Sequence, residues 1–268
     1  MSQQSTNLTW INTSTKVGDN DGPAYVVYSN IGYNKASEVI AISKIQKNFI
    51  RRSDKKTVNA YLFLGIDVYD SETKEWKNCA DAGLGYIGAT GGFHAFVNRF
   101  IVEDGDISWW ESPTELNPEH DFKIVLDTSK KDGALFLSII DITDGNKTVD
   151  TKEFSMSYVK ADGSNTAYYQ DYAIDFPDDV CKDTNGNDSK EWNQVVFYNT
   201  DEDLYMKNIQ VSDAYLYNPS GSYLWTEEYT EDRFLWPYKT RTVDYICTTV
   251  NAVHSDYETV IDLDMNRH

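Results

Sequence analysis

Between Tyr61 and Tyr69 the chain reads YLFLGIDVY, and simple alternation separates two kinds of chemistry. Leu62, Leu64, Ile66 and Val68 fall on one side of an extended chain, which marks that side for burial. Tyr61, Phe63, Asp67 and Tyr69 fall on the other. Aromatic rings with a carboxylate among them are not ordinary solvent surface. Flat rings beside fixed hydrogen-bonding groups suit a ligand with apolar C–H faces and hydroxyl edges, as a sugar has. The stretch from Phe93 to Val102 repeats the pattern, with His94, Phe96 and Asn98 on one side and Arg99 on the opposite one. Trp109 and Trp110 follow the next turn and are placed at the rim. The candidate ligand-binding set is therefore Tyr61, Asp67, Tyr69, His94, Phe96, Asn98, Trp109 and Trp110. Two structural expectations stand against it. Later strands could cover these rings as additional core. His94 is expected to be a satisfied structural histidine, with a sugar hydrogen bond or proton transfer as its functional alternatives.

No catalytic residue is assigned. A retaining glycosidase needs two carboxyl groups about 5–5.5 Å apart. The nearest approach to that is Glu103-Asp104-Gly105-Asp106 followed by Glu111, and it reads as a hairpin tip. A lyase would need a His or Tyr base with Arg or Asn beside the uronate. His94, Asn98, Arg99 and Tyr172 are available, but alternation turns Arg99 away from His94. No cofactor is required. A structural calcium ion is weighed at Asp183, Asn185, Asn187 and Asp188, which crowd side-chain oxygens into one loop. The spacing departs from the EF-hand rule, with Gly fourth and no Glu at the twelfth position, so a plain Asx-turn loop is the competing expectation.

Composition narrows the partners. Asp and Glu number 43 against 24 Lys and Arg, a formal charge of −19. Phosphate backbones and anionic membranes call for basic patches, so neither nucleic acid nor membrane is an expected partner. The one basic run, Arg51 to Lys56, reads as a solvated turn. Cys79, Cys181 and Cys247 are odd in number and lack zinc-ligand spacing. No run of 18 apolar residues suggests a spanning helix, and the first ten residues lack a signal-peptide pattern. The abundance of Tyr, Asn, Thr and Asp leans toward an extracellular or cell-surface protein.

The elements that would position these residues centre on Asp121 to Phe154. Phe122, Ile124 and Leu126 alternate with Lys123, Val125 and Asp127, and a turn ends at Asp132-Gly133. Ala134 to Ile142 is apolar on both faces, and Asp144-Gly145-Asn146 turns the chain again. Two successive hairpins predict an antiparallel meander. Its middle strand is expected to be covered on both faces or to lie at the centre of two packed sheets. Glu38 to Ile50 reads as either strand or short helix. Asn165 to Phe176 and Asp203 to Tyr217 read as strands, the second with a bulge near Asn208.

Two pieces carry a resemblance. One is F122-x-I-x-L-D127 followed by G133-A-L-F-L-S-I-I-D141 and D144-G-N-K-T-V149. The other is L204-Y-M-K-N-I-Q-V-S-D-A-Y-L-Y217. Together they resemble concanavalin A-like lectin and laminin-G type jelly rolls. The resemblance implies an all-β antiparallel sandwich: one domain over residues 1–268, with its core at about 8–217 and a C-terminal strand extension over 218–268. Since that superfamily holds glycan-binding modules, glycoside hydrolases and polysaccharide lyases, fold does not fix function. Taken with the aromatic face, it favours a non-catalytic module binding a polysaccharide or oligosaccharide. A glycan-degrading enzyme and an adhesive module binding protein are the alternatives.

Overall fold

The computed structural model describes residues 4–5, 24–52, 54–103, 105–175, 181–183, 195–197, 203–236, 249–255 and 257–264. In chain order the strands are β1 (Gln4–Ser5), β2 (Ala24–Ser29), β3 (Lys35–Ile40), β4 (Gln46–Asn48), β5 (Ala60–Tyr69), β6 (Trp76–Ile87) and β7 (Gly92–Arg99). Next come β8 (Trp109–Leu116), β9 (Phe122–Asp127), β10 (Ala134–Asp141), β11 (Lys147–Ser155), β12 (Thr166–Ile174), β13 (Cys181–Asp183) and β14 (Val195–Phe197). The last are β15 (Tyr205–Asn218), β16 (Gly221–Leu224), β17 (Thr230–Trp236), β18 (Thr249–His254) and β19 (Glu258–Asp264). β13 and β14 pair only with each other, and the remaining described strands form two antiparallel sheets packed as a sandwich. A seven-stranded sheet runs β17-β2-β12-β5-β6-β7-β8, and a ten-stranded sheet runs β1-β18-β19-β15-β3-β9-β10-β11 with β4 and β16 also on β15. Among the described residues no helix is long and apolar enough to cross a membrane.

Alternation explains the core. Leu62, Leu64, Ile66 and Val68 of β5 face Ile124, Leu126, Leu135 and Leu137 of the other sheet within one continuous apolar cluster. Removal of this much apolar surface from water is the dominant favourable contribution to folding. The tyrosines of β12 divide in the same way. Tyr168 and Tyr172 are buried in the inter-sheet cluster, whereas Tyr169 belongs to a second apolar cluster on the outer side of the seven-stranded sheet.

The meander forms as β9, β10 and β11, but it lies elsewhere than expected. β11 is an edge strand, so β10 is next to the edge rather than at the centre. Leu135, Leu137 and Ile139 are buried, while Phe136, Ser138 and Ile140 are only half-buried. Lys130 sits over the Phe136 ring, 4.5 Å from its centroid, and its stem shelters part of that face. The ambiguous stretch resolves into β3, a short 3₁₀ turn (Ile42–Lys44) and β4. Asn208 adopts φ +56° in β15, and the pairing with β19 shifts between Met206 and Ile209, which is the bulge expected there.

β7 ends at Arg99, shorter than the alternation suggested, because that side chain is drawn inward. Its Nη1 donates to Asp106 Oδ2 at 2.7 Å and to the Ser155 carbonyl at 2.9 Å, and its Nη2 donates to the Ile107 carbonyl. These acceptors on its two terminal nitrogens hold the buried guanidinium and tie down the connection, while its Nε finds no partner among the described residues.

The C-terminal strands join the sheets laterally. β16 pairs with β15 in one sheet, and β17 pairs with β2 in the other. The short 3₁₀ turn Glu227–Tyr229 therefore carries the chain across the side of the sandwich. The hairpin β18–β19 extends the ten-stranded sheet beyond β15.

One carboxyl group is enclosed between the sheets. Glu38 of β3 is fully buried. Its Oε2 accepts from Gln170 Nε2 and Tyr172 OH, each at 2.8 Å, whereas Oε1 has no hydrogen-bond partner. Burial pushes its pKa up to about 8, against the two hydrogen bonds that favour the charged form.

Candidate functional site

The register of the seven-stranded sheet decides which side chains share its outer face. Antiparallel partners point the same way. Tyr61, Phe63 and Asp67 of β5 lie opposite Gly85, Gly83 and Cys79 of β6. Gly85, Gly83 and Asp81 lie opposite His94, Phe96 and Asn98 of β7. Phe96 and Asn98 in turn lie opposite Glu111 and Trp109 of β8. Toward the other edge, Phe63 and Gly65 pair with Asp171 and Tyr169 of β12, and Tyr169 pairs with Tyr28 of β2. Seven of the eight expected ligand residues therefore share this face: Tyr61, Asp67, Tyr69, His94, Phe96, Asn98 and Trp109. Trp110 does not. It pairs with Val97 and packs against Phe154, so it lies on the core side.

The rings form a connected strip. Trp109 stacks on Phe96 at 5.2 Å and 19°, and Tyr61 approaches Phe96 at 5.1 Å. Phe63 meets Phe96 and Tyr169 edge-on, and Tyr169 stacks on Tyr28 at 4.8 Å. Phe63, Phe96 and Tyr169 are buried floor, while Tyr28, Tyr61 and Tyr69 are half-buried and Trp109 is 39% exposed. The glycines of β5 and β6 let the rings lie flat. At Gly65 an added Cβ would fall inside the Tyr169 ring, which crosses β5 to reach Asp81. Gly65→Ala is therefore expected to destabilise the fold by about 1–3 kcal/mol through overpacking. Urea unfolding checks this, and in a Tyr169→Leu background the cost should fall by at least half.

The buried carboxylates act mainly as clamps. Asp67 accepts from Trp76 Nε1 at 2.8 Å and also from the hydroxyls of Tyr28 and Tyr69. Burial raises its pKa while those hydrogen bonds oppose the shift. Burial pushes Tyr69 up to about 12, reinforced by the charge of Asp67. Asp81 accepts the Tyr169 hydroxyl at 2.5 Å. Burial likewise raises Tyr61, helped by the negative fields of Asp175 and Glu111 and opposed by Asn59, whose amide is 3.2 Å from its hydroxyl. These phenols stay neutral and serve as fixed donors and acceptors.

His94 is the satisfied histidine that was weighed. It is 5% exposed, with Nδ1 3.0 Å from the Ser112 carbonyl and Nε2 3.1 Å from Thr90 Oγ1. Arg99 points to the opposite side of β7, as alternation required, so His94 and Arg99 do not come together. Cys79 is a free, buried thiol whose pKa is raised first by burial and then by Asp81 and Asp67. Of the calcium loop, Asp183 ends β13, and Asn185, Asn187 and Asp188 lie outside the described residues. Among the described residues no group of three metal-ligating side chains converges.

Trp76, Tyr28, Tyr169, Asp81 and Glu111 belong to this face although no motif marks them. Trp76 is 47% exposed and lies opposite Tyr69 across a turn. An indole beginning a strand just after Tyr69 was its available signal. Tyr169 could be assigned outward only once the register of β12 against β5 was known.

No protein-family model matches the chain, and no curated protein matches it in sequence. Solved structures similar to it include two of a phage tailspike protein. One is the enzymatically active domain of tailspike protein 2 of bacteriophage CBA120, at TM-score 0.32 and 14% identity, covering 76% of this chain and 30% of that one. The other is the full-length tailspike protein 2 from an Escherichia coli O157:H7 bacteriophage, at TM-score 0.31 and 15% identity, covering 76% of this chain and 26% of that one. The chain thus spans less than a third of either. At these scores the matches are likenesses only, and the geometry of the face carries the functional reading.

Proposed function

We propose that the outer face of the seven-stranded sheet is a non-catalytic binding surface for a polysaccharide or oligosaccharide. The observation that carries this is the continuous ring strip from Trp109 through Phe96, Tyr61, Phe63 and Tyr169 to Tyr28, with solvent-facing edges at Trp109 and Tyr61. Sugar C–H faces stack on such rings, and the hydroxyls find Asn98, Tyr61, Asp175 and Glu111 as polar neighbours. Hydrogen bonds from Trp76 and the tyrosines to Asp67 fix ring orientations before binding, which reduces the ordering cost of association. The concanavalin-like assignment and an extracellular location are part of the same reading, since polymeric glycans are met outside cells. A glycan-degrading enzyme is the second reading, favoured by the pair Asp175 and Glu111 that both act on the Tyr61 phenol. Native electrophoresis through gels cast with a panel of polysaccharides tests the proposal. Retarded migration over intact polymer supports it. Cleared polymer at the band moves the assignment to an enzyme, and unaltered migration in every gel rejects glycan binding in favour of a protein ligand.

A further inference from the structure

The ring strip does not lie among neutral polar groups. The register that gathers the rings also sets the acidic residues of the seven-stranded sheet beside them. Asp81 of β6 lies opposite Asn98 of β7, and Asp171 of β12 lies opposite Phe63 of β5. Glu111 and Glu115 of β8 lie opposite Phe96 and His94. Asp175 follows β12, its N–H donating to the Asn59 carbonyl at 3.0 Å. Asp81, Asp171, Asp175 and Glu111 are half-buried, and Glu115 is exposed.

No cation of the sheet offsets them. Its described strands contain three basic side chains, Lys77, Arg99 and Arg233. Arg99 lies opposite Ala80 on the core side and is paired with Asp106. Arg233 lies opposite Val27, also on the core side, and is paired with Glu227. Lys77 is the residue skipped by the register shift between Val68 and Tyr69, and Glu75 holds its ammonium at 2.9 Å. Both ring nitrogens of His94 are already engaged.

Such a face discriminates among glycans by charge. A uronate or sulfate would bring like charge against fixed carboxylates, which disfavours that partner. A protonated amino sugar gains twice. Its ammonium is attracted to ring faces, and it donates charge-assisted hydrogen bonds to carboxylates. Both kinds of group meet at Tyr61. Its ring is 5.1 Å from Phe96 and 6.2 Å from Trp109, and Asp175 and Glu111 both raise its phenol by their negative fields. Glu111 is also the cross-strand partner of Phe96, on which Trp109 stacks.

We propose that the polymer taken by this face is an amino-sugar glycan with free amino groups, its ammonium nitrogen seated by Glu111 and Asp175 against the rings of Tyr61 and Trp109. The inference rests on the reading of the ring strip as a glycan surface and names its ligand class. Isothermal titration of the full-length protein tests it with tetramers of glucosamine and galactosamine, their N-acetylated forms and a galacturonate tetramer. The work is done near pH 6, where amines are charged and ordinary carboxylates ionised. At least one amine tetramer is expected to bind about ten-fold more tightly than its acetylated form, with galacturonate weaker than both. A formal charge of −19 attracts any polycation, so two charge-matched double variants decide whether the preference is local. Glu111→Gln with Asp175→Asn acts on the face. Asp213→Asn with Glu258→Gln removes the same charge from exposed positions of the ten-stranded sheet. The first pair is expected to reduce the preference for amine to about two-fold or less, and the second to leave it unchanged. Thermal unfolding checks that both are folded, and Glu111→Gln alone serves if the first pair is not. Equal binding of amine and acetylated tetramers, tightest binding of galacturonate, or equal loss in both double variants overturns the inference and leaves the glycan reading standing. Absence of binding by every tetramer overturns both.

Discussion

Trp109→Ala is expected to weaken polysaccharide binding by about 10–30-fold while leaving the protein folded. Aromatic anchors that carry a contact typically cost about 2 kcal/mol when truncated, and about 1.4 kcal/mol corresponds to ten-fold. The indole is suited to this role because one face stacks on Phe96 and the side chain remains 39% exposed. Losing that stack should cost only about 1 kcal/mol of stability. The pair Tyr61→Ala and Tyr69→Ala is expected to abolish binding, since Tyr61 packs on Phe96 within the strip and Tyr69 is a half-buried phenol of the same face, hydrogen-bonded to Asp67. Phe96→Ala provides the contrast. Phe96 is 2% exposed and central to the outer cluster, so its loss should cost about 3–5 kcal/mol and act on the fold first. Affinity electrophoresis together with thermal unfolding separates the cases. If the Tyr61 and Tyr69 variants merely unfold, those rings are core and the outer face is not a binding surface.

The second large effect concerns pH. Glu38 has a folded pKa of about 8 against an ordinary 4.5, so the folded state holds a proton that the unfolded state releases. The sign follows from linkage: the contribution is fully present below about pH 4.5 and is lost as pH rises through about 8. The full swing is on the order of 4–5 kcal/mol, at about 1.36 kcal/mol per pKa unit. Glu38→Gln removes the titration while keeping an oxygen for Tyr172 and Gln170. Its stability should match the wild type within about 1–2 kcal/mol near pH 5, the difference reflecting an amide donor in place of the unmatched Oε1. Near pH 9 the variant should be the more stable protein. The general self-repulsion of an acidic chain is common to both, so it cancels in the comparison. Urea unfolding at pH 5, 7 and 9 measures this, and parallel pH profiles for the two proteins would mean that Glu38 ionises normally in the fold.

One effect comes from the outer face of the seven-stranded sheet and the other from between the two sheets, and the sequence made them unequally visible. The ring pattern at Tyr61, Phe63, Asp67 and Tyr69 could be read directly, because a strand of period two exposes its two faces as alternate letters. The same reading turned Arg99 away from His94. Glu38 carried no such mark. It lies in KASEVI, where a charged residue reads as a solvent position, yet all of β3 from Ala36 to Ile40 is buried. Its partners Gln170 and Tyr172 are 132 and 134 residues away, a distance that no local pattern spans. The role of Asp67 was also only half legible: it belongs to the ring face, but as the acceptor that clamps Trp76, Tyr28 and Tyr69.

By itself, the sequence determined the all-β class, the meander of β9 to β11 and the two faces of β5 and β7. Each of these rests on alternation within one strand or on a turn between adjacent ones. Only the tertiary structure decided that β10 lies beside an edge, that Trp110 belongs to the core side, and that β17 to β19 extend the sheets laterally. The reason is that strand neighbours and register are set by long-range pairing, in which a shift of one residue exchanges the faces.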